Sequence, residues 1–260
     1  MKRKSTRTFD GTPVKEEDSQ KFEQFLNELD NPFGVPVEFR MLQAKEHKLS
    51  SPVVVGTDVY FAAKVKPQGQ YEIAYGYEFA HACLYAESLG MGTVMLAASI
   101  SRQTFEKAME VSDDEVMPLA SPLGYAAQKR TIKDSLMRKG LKADARKPFE
   151  KLFYLESFEH ELSPQKAGVF ADALEMVRWA PSAVNKQPWR AVVDNSAVHF
   201  YENQTIKSAP GWDVQRIDIG IALAHFDLTM QEGGLAGKFE QADPKLETKE
   251  KFDYVISYKL

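Results

Sequence analysis

The chain has 260 residues and 29.3 kDa, which at about 150 residues per domain is room for one large domain or two small ones. Area scaling buries about 73% of the unfolded chain's surface, so no disulfide or metal is needed to hold a core, and 43% hydrophobic residues with 16 Phe and 10 Tyr exclude a wholly disordered chain. Thirty-three basic against 37 acidic residues give a net charge of −4 and a pI of 5.8, the wrong sign for an electrostatic nucleic-acid binder, so no nucleic-acid partner is expected.

The one cysteine, Cys83, cannot close an intrachain disulfide, and no Cys/His cluster has zinc-site spacing. Met1 to Asp10 is basic but runs into Gly11, Thr12 and Pro13 instead of an apolar stretch, so it does not read as a signal peptide. A reducing cytoplasm is the expected compartment. His81 to Ile100 comes nearest to a membrane span, but His81, Glu87, Ser88, Gly90 and Gly92 interrupt it, and it reads as a buried helix running into a strand. No membrane association is expected.

In chain order, the first helix is signalled by Thr12 as N-cap, Pro13 at N1 and acids in the first turn, with Phe22, Phe25, Leu26 and Leu29 at helical spacing and a stop before Pro32. A strand candidate follows at Val35 to Leu42. A long apolar helix then ends in Leu89-Gly90-Met91-Gly92-Thr93, and an apolar strand is expected over Met117 to Tyr125. Lys129 to Lys151 is charge-rich and reads as a connecting segment.

The same grammar then repeats. Ser163 is the N-cap and Pro164 the N1 residue of a helix whose stripe is Val169, Phe170, Ala173, Leu174 and Val177, ending at Pro181. Strand Trp189 to Val193 follows, then a second long apolar helix, then a closing strand, Tyr254 to Tyr258. Shifting Gly76, Ala80, His81, Leu84 and Gly90 by 144 positions lands on Gly220, Ala224, His225, Leu228 and Gly234. Two tandem α+β half-copies are expected, 1–155 and 156–260. Each long helix is apolar nearly all round and must bury more than one side, so the halves should pack as one unit, an intrachain pseudo-dimer behaving as a monomer.

Three segments carry residues suited to chemistry. Arg3-Lys4-Ser5-Thr6-Arg7 is rich in side chains able to donate to a phosphate, and an extended backbone would put Arg3, Ser5 and Arg7 on one side. Taken alone, it reads more readily as a frayed basic tail. Ala180-Pro-Ser-Ala-Val-Asn-Lys-Gln-Pro-Trp189 reads locally as a connection rich in turn formers. Gly124-Tyr125 with the later Arg146-Lys147-Pro148 reads locally as a strand end and a solvated charge cluster.

Together these segments resemble the nitroreductase family of FMN-dependent flavoproteins, in the tandem form that fuses two half-length copies. Arg3, Ser5 and Arg7 match that family's opening Arg-x-Ser-x-Arg, and Pro181, Ser182, Asn185, Gln187, Pro188 and Trp189 match its Pro-Ser-x-x-Asn-x-Gln-Pro-Trp at every fixed position. The Gly-x-Gly turn at Gly90 to Gly92 and Leu123-Gly124-Tyr125 are also similar to it. The resemblance implies that an ordinary member carries both segments, about thirty residues apart, in every subunit of a homodimer with two equivalent flavin sites. Here the first half has Asp30-Asn31-Pro32-Phe33-Gly34 where the Pro-Ser segment would be, and the second half begins with Phe158-Glu-His-Glu161 where cations would be needed. One complete site per chain is therefore expected.

The resemblance implies a nitroreductase-like α+β fold and FMN as cofactor. Arg3, Lys4, Ser5 and Arg7, with Arg146 or Lys147, would meet the phosphate. Pro181, Ser182 and Ala183 would form a small-residue wall against the ring, with Asn185 and Gln187 in the same segment. Leu96, Ala97 and Ala98 would pass along the other ring edge, where a backbone N–H meets developing negative charge. No side-chain catalyst or metal is demanded, because the flavin carries the electrons. His47, His81, His160, His199 and His225 share no motif with a Ser or an Asp, and Tyr60, Phe61, Tyr75 and Tyr77 read as core more than as a substrate opening. The implied reaction moves hydride from NAD(P)H through the flavin to a small electron-poor acceptor, a nitroaromatic or a quinone. A non-catalytic flavin-binding or regulatory protein, and a dehalogenating specialist, are the competing readings.

Overall fold

The structure, a computed structural model, describes residues 3–248 and 250–260; Met1 and Lys2, at the head of the basic segment, and Lys249 lie outside the described residues. The described residues divide into two compact units, 3–143 and 144–260.

The first unit runs α1 (Glu16–Glu28), β1 (Val37–Gln43), α2 (Ala44–His47), β2 (Val59–Val65), α3 (Tyr71–Ser88), β3 (Gly92–Thr93), α4 (Arg102–Ala108), β4 (Ala120–Gly124) and α5 (Ile132–Gly140). Its four-stranded sheet has the order β1-β2-β4-β3, antiparallel throughout. Helix α3 packs on it and is buried nearly all round, from Ile73 to Ala86. Phe22 of α1 meets Phe61 of β2 edge-to-face at 5.2 Å, and Phe61 stacks on Phe79 of α3 at 5.1 Å, so aromatic pairs tie helix, sheet and helix together. Tyr60, Phe61, Tyr75 and Tyr77 are all buried in this unit, as core.

The second unit runs β5 (Phe153–Leu155), α6 (Ala171–Trp179), β6 (Trp189–Val193), β7 (Ala197–Glu202), α7 (Val214–Glu232), β8 (Lys238–Glu240) and β9 (Asp253–Lys259). Its sheet order is β5-β6-β7-β9-β8. Without β5 this is the first sheet again: helix, two strands, long helix, edge strand and inner strand recur in the same chain order and the same sheet order. The fold is thus two tandem α+β half-copies, the second carrying one extra strand, β5, parallel to β6.

Several local expectations need correction. Helix α1 starts at Glu16, with Lys15 as N-cap, so Thr12 does not cap it. Asp10 Oδ1 instead accepts the Thr12 N–H at 2.8 Å and Gly11 takes φ +85°, a turn that holds this stretch out of the helix. Ser163 precedes a 3₁₀ turn, Pro164–Lys166; Gly168 at φ +56° separates it from a second, Gly168–Phe170, and α6 begins only at Ala171. Val169 lies in that second turn and is exposed, off the stripe that Phe170, Ala173, Leu174 and Val177 bury. Lys129 to Lys151 is more than a connector, since it contains α5 and a 3₁₀ turn at Phe149–Lys151.

Candidate functional site

The basic N-terminal segment is docked by its backbone. Thr6 donates its N–H to the Thr93 carbonyl at 2.9 Å, Ser5 lies beside Thr93 in a parallel bridge, the Val55 N–H donates to the Arg7 carbonyl at 3.0 Å, and Phe9 donates back to Val55 at 2.9 Å. Ala127 closes the other side by donating to the Thr8 carbonyl at 3.0 Å. The approach is close enough to demand bare backbone: a Cβ on Gly92 would lie 2.6 Å from Thr6 Oγ1, and one on Gly56 would lie 2.2 Å from the Phe9 carbonyl oxygen.

This docking fixes two guanidiniums. Arg3 is 8% exposed, and its buried Nη2 has no hydrogen-bond partner among the described residues. It lies near Cys83, whose thiol is pushed up by burial against the opposing pull of Arg3. Arg7 meets Asp134 of α5 through one contact, Nη1 to Oδ1 at 3.3 Å, and burial lowers its pKa while Asp134 works the other way. Lys4 is exposed and Ser5 half-buried. Beside Arg7 opens a cavity of about 530 Å³ lined by Thr6, Thr8, Lys129, Arg130, Asp134 and Ser135 among others.

Leu96, Ala97 and Ala98 follow β3 in the same unit. The Leu96 N–H is spent on the Ala120 carbonyl at 2.8 Å, and the Ala97 carbonyl accepts Arg102 Nη2 at 2.9 Å. Leu96 is buried, Ala97 half-buried and Ala98 exposed.

In the second unit the Pro-Ser segment joins α6 to β6 as a tight loop. Val184, Asn185 and Gln187 all take positive φ, at 43°, 57° and 52°. Three bonds hold that conformation. Ser182 Oγ accepts the Gln187 N–H at 2.9 Å, Gln187 Oε1 accepts the Lys147 N–H at 2.8 Å, and both carboxylate oxygens of Asp218 lie within 3.1 Å of the Ala183 N. Pro181, Ser182 and Ala183 stay half-buried, small residues on a pinned backbone.

Arg146 and Lys147 belong to this second cluster. Arg146 Nη1 reaches Asn185 Oδ1 at 3.4 Å, its Nη2 donates to the Trp179 carbonyl at 3.1 Å, and its guanidinium lies 5.1 Å from the Trp179 ring centre. Lys147 Nζ reaches the Gln187 carbonyl at 3.4 Å. Burial, aided by Arg190 and Lys186, pulls the Lys147 amine down to about 8. The structure thus gathers the expected residues into two groups, Arg3 to Arg7 with Leu96 to Ala98 in the first unit and Arg146, Lys147 and Pro181 to Gln187 in the second.

Two features escaped the sequence reading. Asp218, almost fully buried on α7, is raised well above the usual carboxylate range by burial and then by the charges of Asp213 and Glu202, while the Ala183 amide opposes the shift. An acid inside a helix apolar on every side was its signal, because such a group must have a partner. A Ser-His-Asp contact also exists: His199 Nδ1 lies 2.7 Å from Ser257 Oγ and His199 Nε2 lies 3.0 Å from Asp194 Oδ2. Ser257 is fully buried and its hydroxyl is also shared with Tyr254 and the Ala242 carbonyl, so the contact is an internal polar network with no reachable nucleophile.

Among the described residues no helix is long and apolar enough to cross a membrane, and no group of three His, Cys, Asp or Glu side chains is placed to hold a metal. No curated protein matches the chain. Among solved structures it is similar to a protein from Thermotoga maritima MSB8 described as a "putative nitroreductase", at 20% identity and a TM-score of 0.62 over 99% of this chain and 90% of that one. An FMN-dependent nitroreductase from Clostridium difficile R20291 aligns over 53% of this chain and 92% of its own, at 14% identity and a TM-score of 0.43. At these identities the Thermotoga likeness bears on fold alone. The sequence itself carries the assignment: residues 1–230 match the family described as "Putative TM nitroreductase", and the chain belongs to that family.

Proposed function

We propose that the chain is an FMN-dependent oxidoreductase that binds one FMN per chain and works as a monomer. Arg3 and Arg7, with Ser5, hold the phosphate, and Pro181, Ser182 and Ala183 face the ring. Arg146 and Lys147 join the site through Asn185 and Gln187, and Lys4 adds charge at the phosphate end. The N–H groups of Ala97 or Ala98, not that of Leu96, face the other ring edge. Bound there, FMN supplies hydride transfer between NAD(P)H and an electron-poor small molecule such as a nitroaromatic or a quinone.

The observation that carries this reading is Arg3. A buried guanidinium nitrogen without an acceptor costs free energy unless an anion meets it, and a docked Arg-x-Ser-x-Arg segment presents it ready-made. The second segment fits as well, because Asp218 holds the Ala183 amide and Ser182 holds the left-handed run that follows, so the wall of Pro181, Ser182 and Ala183 sits on a pinned backbone that lowers the ordering cost of meeting a flat ring.

The test is FMN titration of the folded chain and of Arg3→Ala and Ser182→Trp. Each charge-assisted phosphate contact contributes about 1.5 to 3 kcal/mol, so Arg3→Ala should weaken FMN roughly tenfold or more, and Ser182→Trp should expel the ring by bulk. Unchanged affinity in both variants defeats the reading. Bleaching of the bound flavin by NADH or NADPH separates an oxidoreductase from a flavin-binding protein without turnover.

A further inference from the structure

In the proposed site the phosphate falls to Arg3 and Arg7, helped by Arg146 or Lys147. Within the first unit a different pair shares space with Arg7. The cavity beside it is lined by Lys129 and Arg130, on the stretch between β4 and α5, and by the hydroxyl residues Thr6, Thr8 and Ser135. Arg130 Nε is 3.8 Å from Asp134 Oδ2, the carboxylate whose other oxygen meets Arg7. Asp134 itself is almost wholly buried.

Charge counting is direct. Three cations face one carboxylate in this cavity, a surplus of two, which matches a phosphomonoester carrying about −1.5 to −2 at neutral pH. The Arg7 guanidinium gives Asp134 a single long contact, and its buried Nε has no partner among the described residues. Donors are therefore left over. A volume of about 530 Å³ holds a phosphate with part of an attached polar chain.

We propose that Lys129 and Arg130 complete, with Arg7, a phosphomonoester-binding cavity, and that Asp134 acts as a positioning residue that holds the Arg7 fork. The inference rests on the FMN reading for the identity of the ligand, and extends it by naming residues outside both family segments. Asp134 is kept in place by its own helix, where Thr131 Oγ1 accepts the Asp134 N–H at 3.1 Å. Lys129 and Arg130 are exposed, so water screens each one and their joint removal gives the clearer signal.

The experiment titrates the full chain with FMN, with riboflavin, which lacks the phosphate, and with inorganic phosphate, by calorimetry. Wild type should bind FMN more tightly than riboflavin. Lys129→Ala with Arg130→Ala should remove most of that difference, roughly tenfold, leave riboflavin affinity unchanged and abolish inorganic phosphate binding. Asp134→Asn should weaken FMN but not riboflavin. A double variant that keeps the full FMN-to-riboflavin ratio overturns the cavity while leaving the FMN reading intact. If wild type takes up neither flavin, the FMN reading falls alone: phosphate binding that the double variant loses still supports the cavity, and absence of phosphate binding overturns it too.

Discussion

Ala183 donates its amide N–H between the two oxygens of Asp218, at 2.9 and 3.1 Å, tying the loop after α6 to the N-terminal part of the long helix α7. The first half makes the same kind of tie: Asn31 Nδ2, in the loop after α1, donates to Glu78 Oε1 on α3 at 2.5 Å. Under the 144-residue shift Glu78 falls on position 222, one helical turn from Asp218. A buried acid on the central helix thus holds the same loop in both halves, though one loop kept the Pro-Ser motif and the other lost it.

Asp218→Ala should release the Ala183 amide and with it the left-handed run at Val184, Asn185 and Gln187. Leaving one buried donor unsatisfied costs about 1 to 3 kcal/mol, so the variant should melt several degrees lower. Asp218→Asn keeps an acceptor and removes a carboxylate that burial already disfavours, so it should melt at or above wild type at pH 7. Thermal unfolding of the two variants side by side is the check, and equal melting of the alanine variant and wild type would show that the tie is idle.

Burial raises Glu78 to about 7, partly opposed by its Asn31 bond, against an ordinary 4.5. Between those values the native chain holds a proton that the unfolded chain has lost, so stability falls as pH climbs from about 4.5 to about 7 and stays reduced above. The penalty is on the order of 2 to 3 kcal/mol. Glu78→Gln should flatten that slope and exceed wild-type stability at pH 8. Urea midpoints at pH 5 and pH 8 measure both effects.

Lys147 runs the opposite way. Its amine, lowered to about 8 by burial with Arg190 and Lys186 adding, charges at a cost below that pH. Stability from this group should rise as pH goes from about 8 toward 10.5, where the unfolded lysine also loses its proton. Lys147→Met should therefore stabilise the chain at pH 7 and lose that advantage by pH 10 in urea titrations.

Gly92→Ala places a methyl group against Thr6 and should lever the N-terminal segment off β3. Such overpacking costs about 1 to 3 kcal/mol. Limited proteolysis should then cut within the first nine residues of the variant at protease levels that leave wild type intact.

The sequence carried the repeat because its signals are local: Trp189 to Val193 is a strand to the residue, and both long helices show their all-round apolar character in sequence. The docking of the Arg3 to Arg7 segment was only half legible. Its residue types pointed to an anion, but the alternative of a frayed tail could be dismissed only by backbone bonds from Thr6 to Thr93 and from Val55 to Arg7, partners 87 and 48 positions apart that periodicity does not encode. Helix α5 was hidden in a stretch whose charges matched a solvated linker, and with it the Arg7 and Asp134 pair. Arg146 and Lys147 were legible as cations but not as partners of Gln187, since that contact depends on left-handed backbone at non-glycine positions.

The extra strand β5 leaves the two sheets with unequal rims. In the second sheet β6 is covered on its outer side by β5, whereas among the described residues its counterpart β1 has no strand beyond it in the first sheet. A bare strand invites pairing with a foreign one, and β1 meets that hazard with ions: Arg40 bridges Glu38 and Glu110 at 2.8 and 2.7 Å, with Lys64 of β2 close to Glu38. Neutralising Glu38 and Arg40 together would strip that guard, turning a sheet margin into a template for self-association and fibril growth.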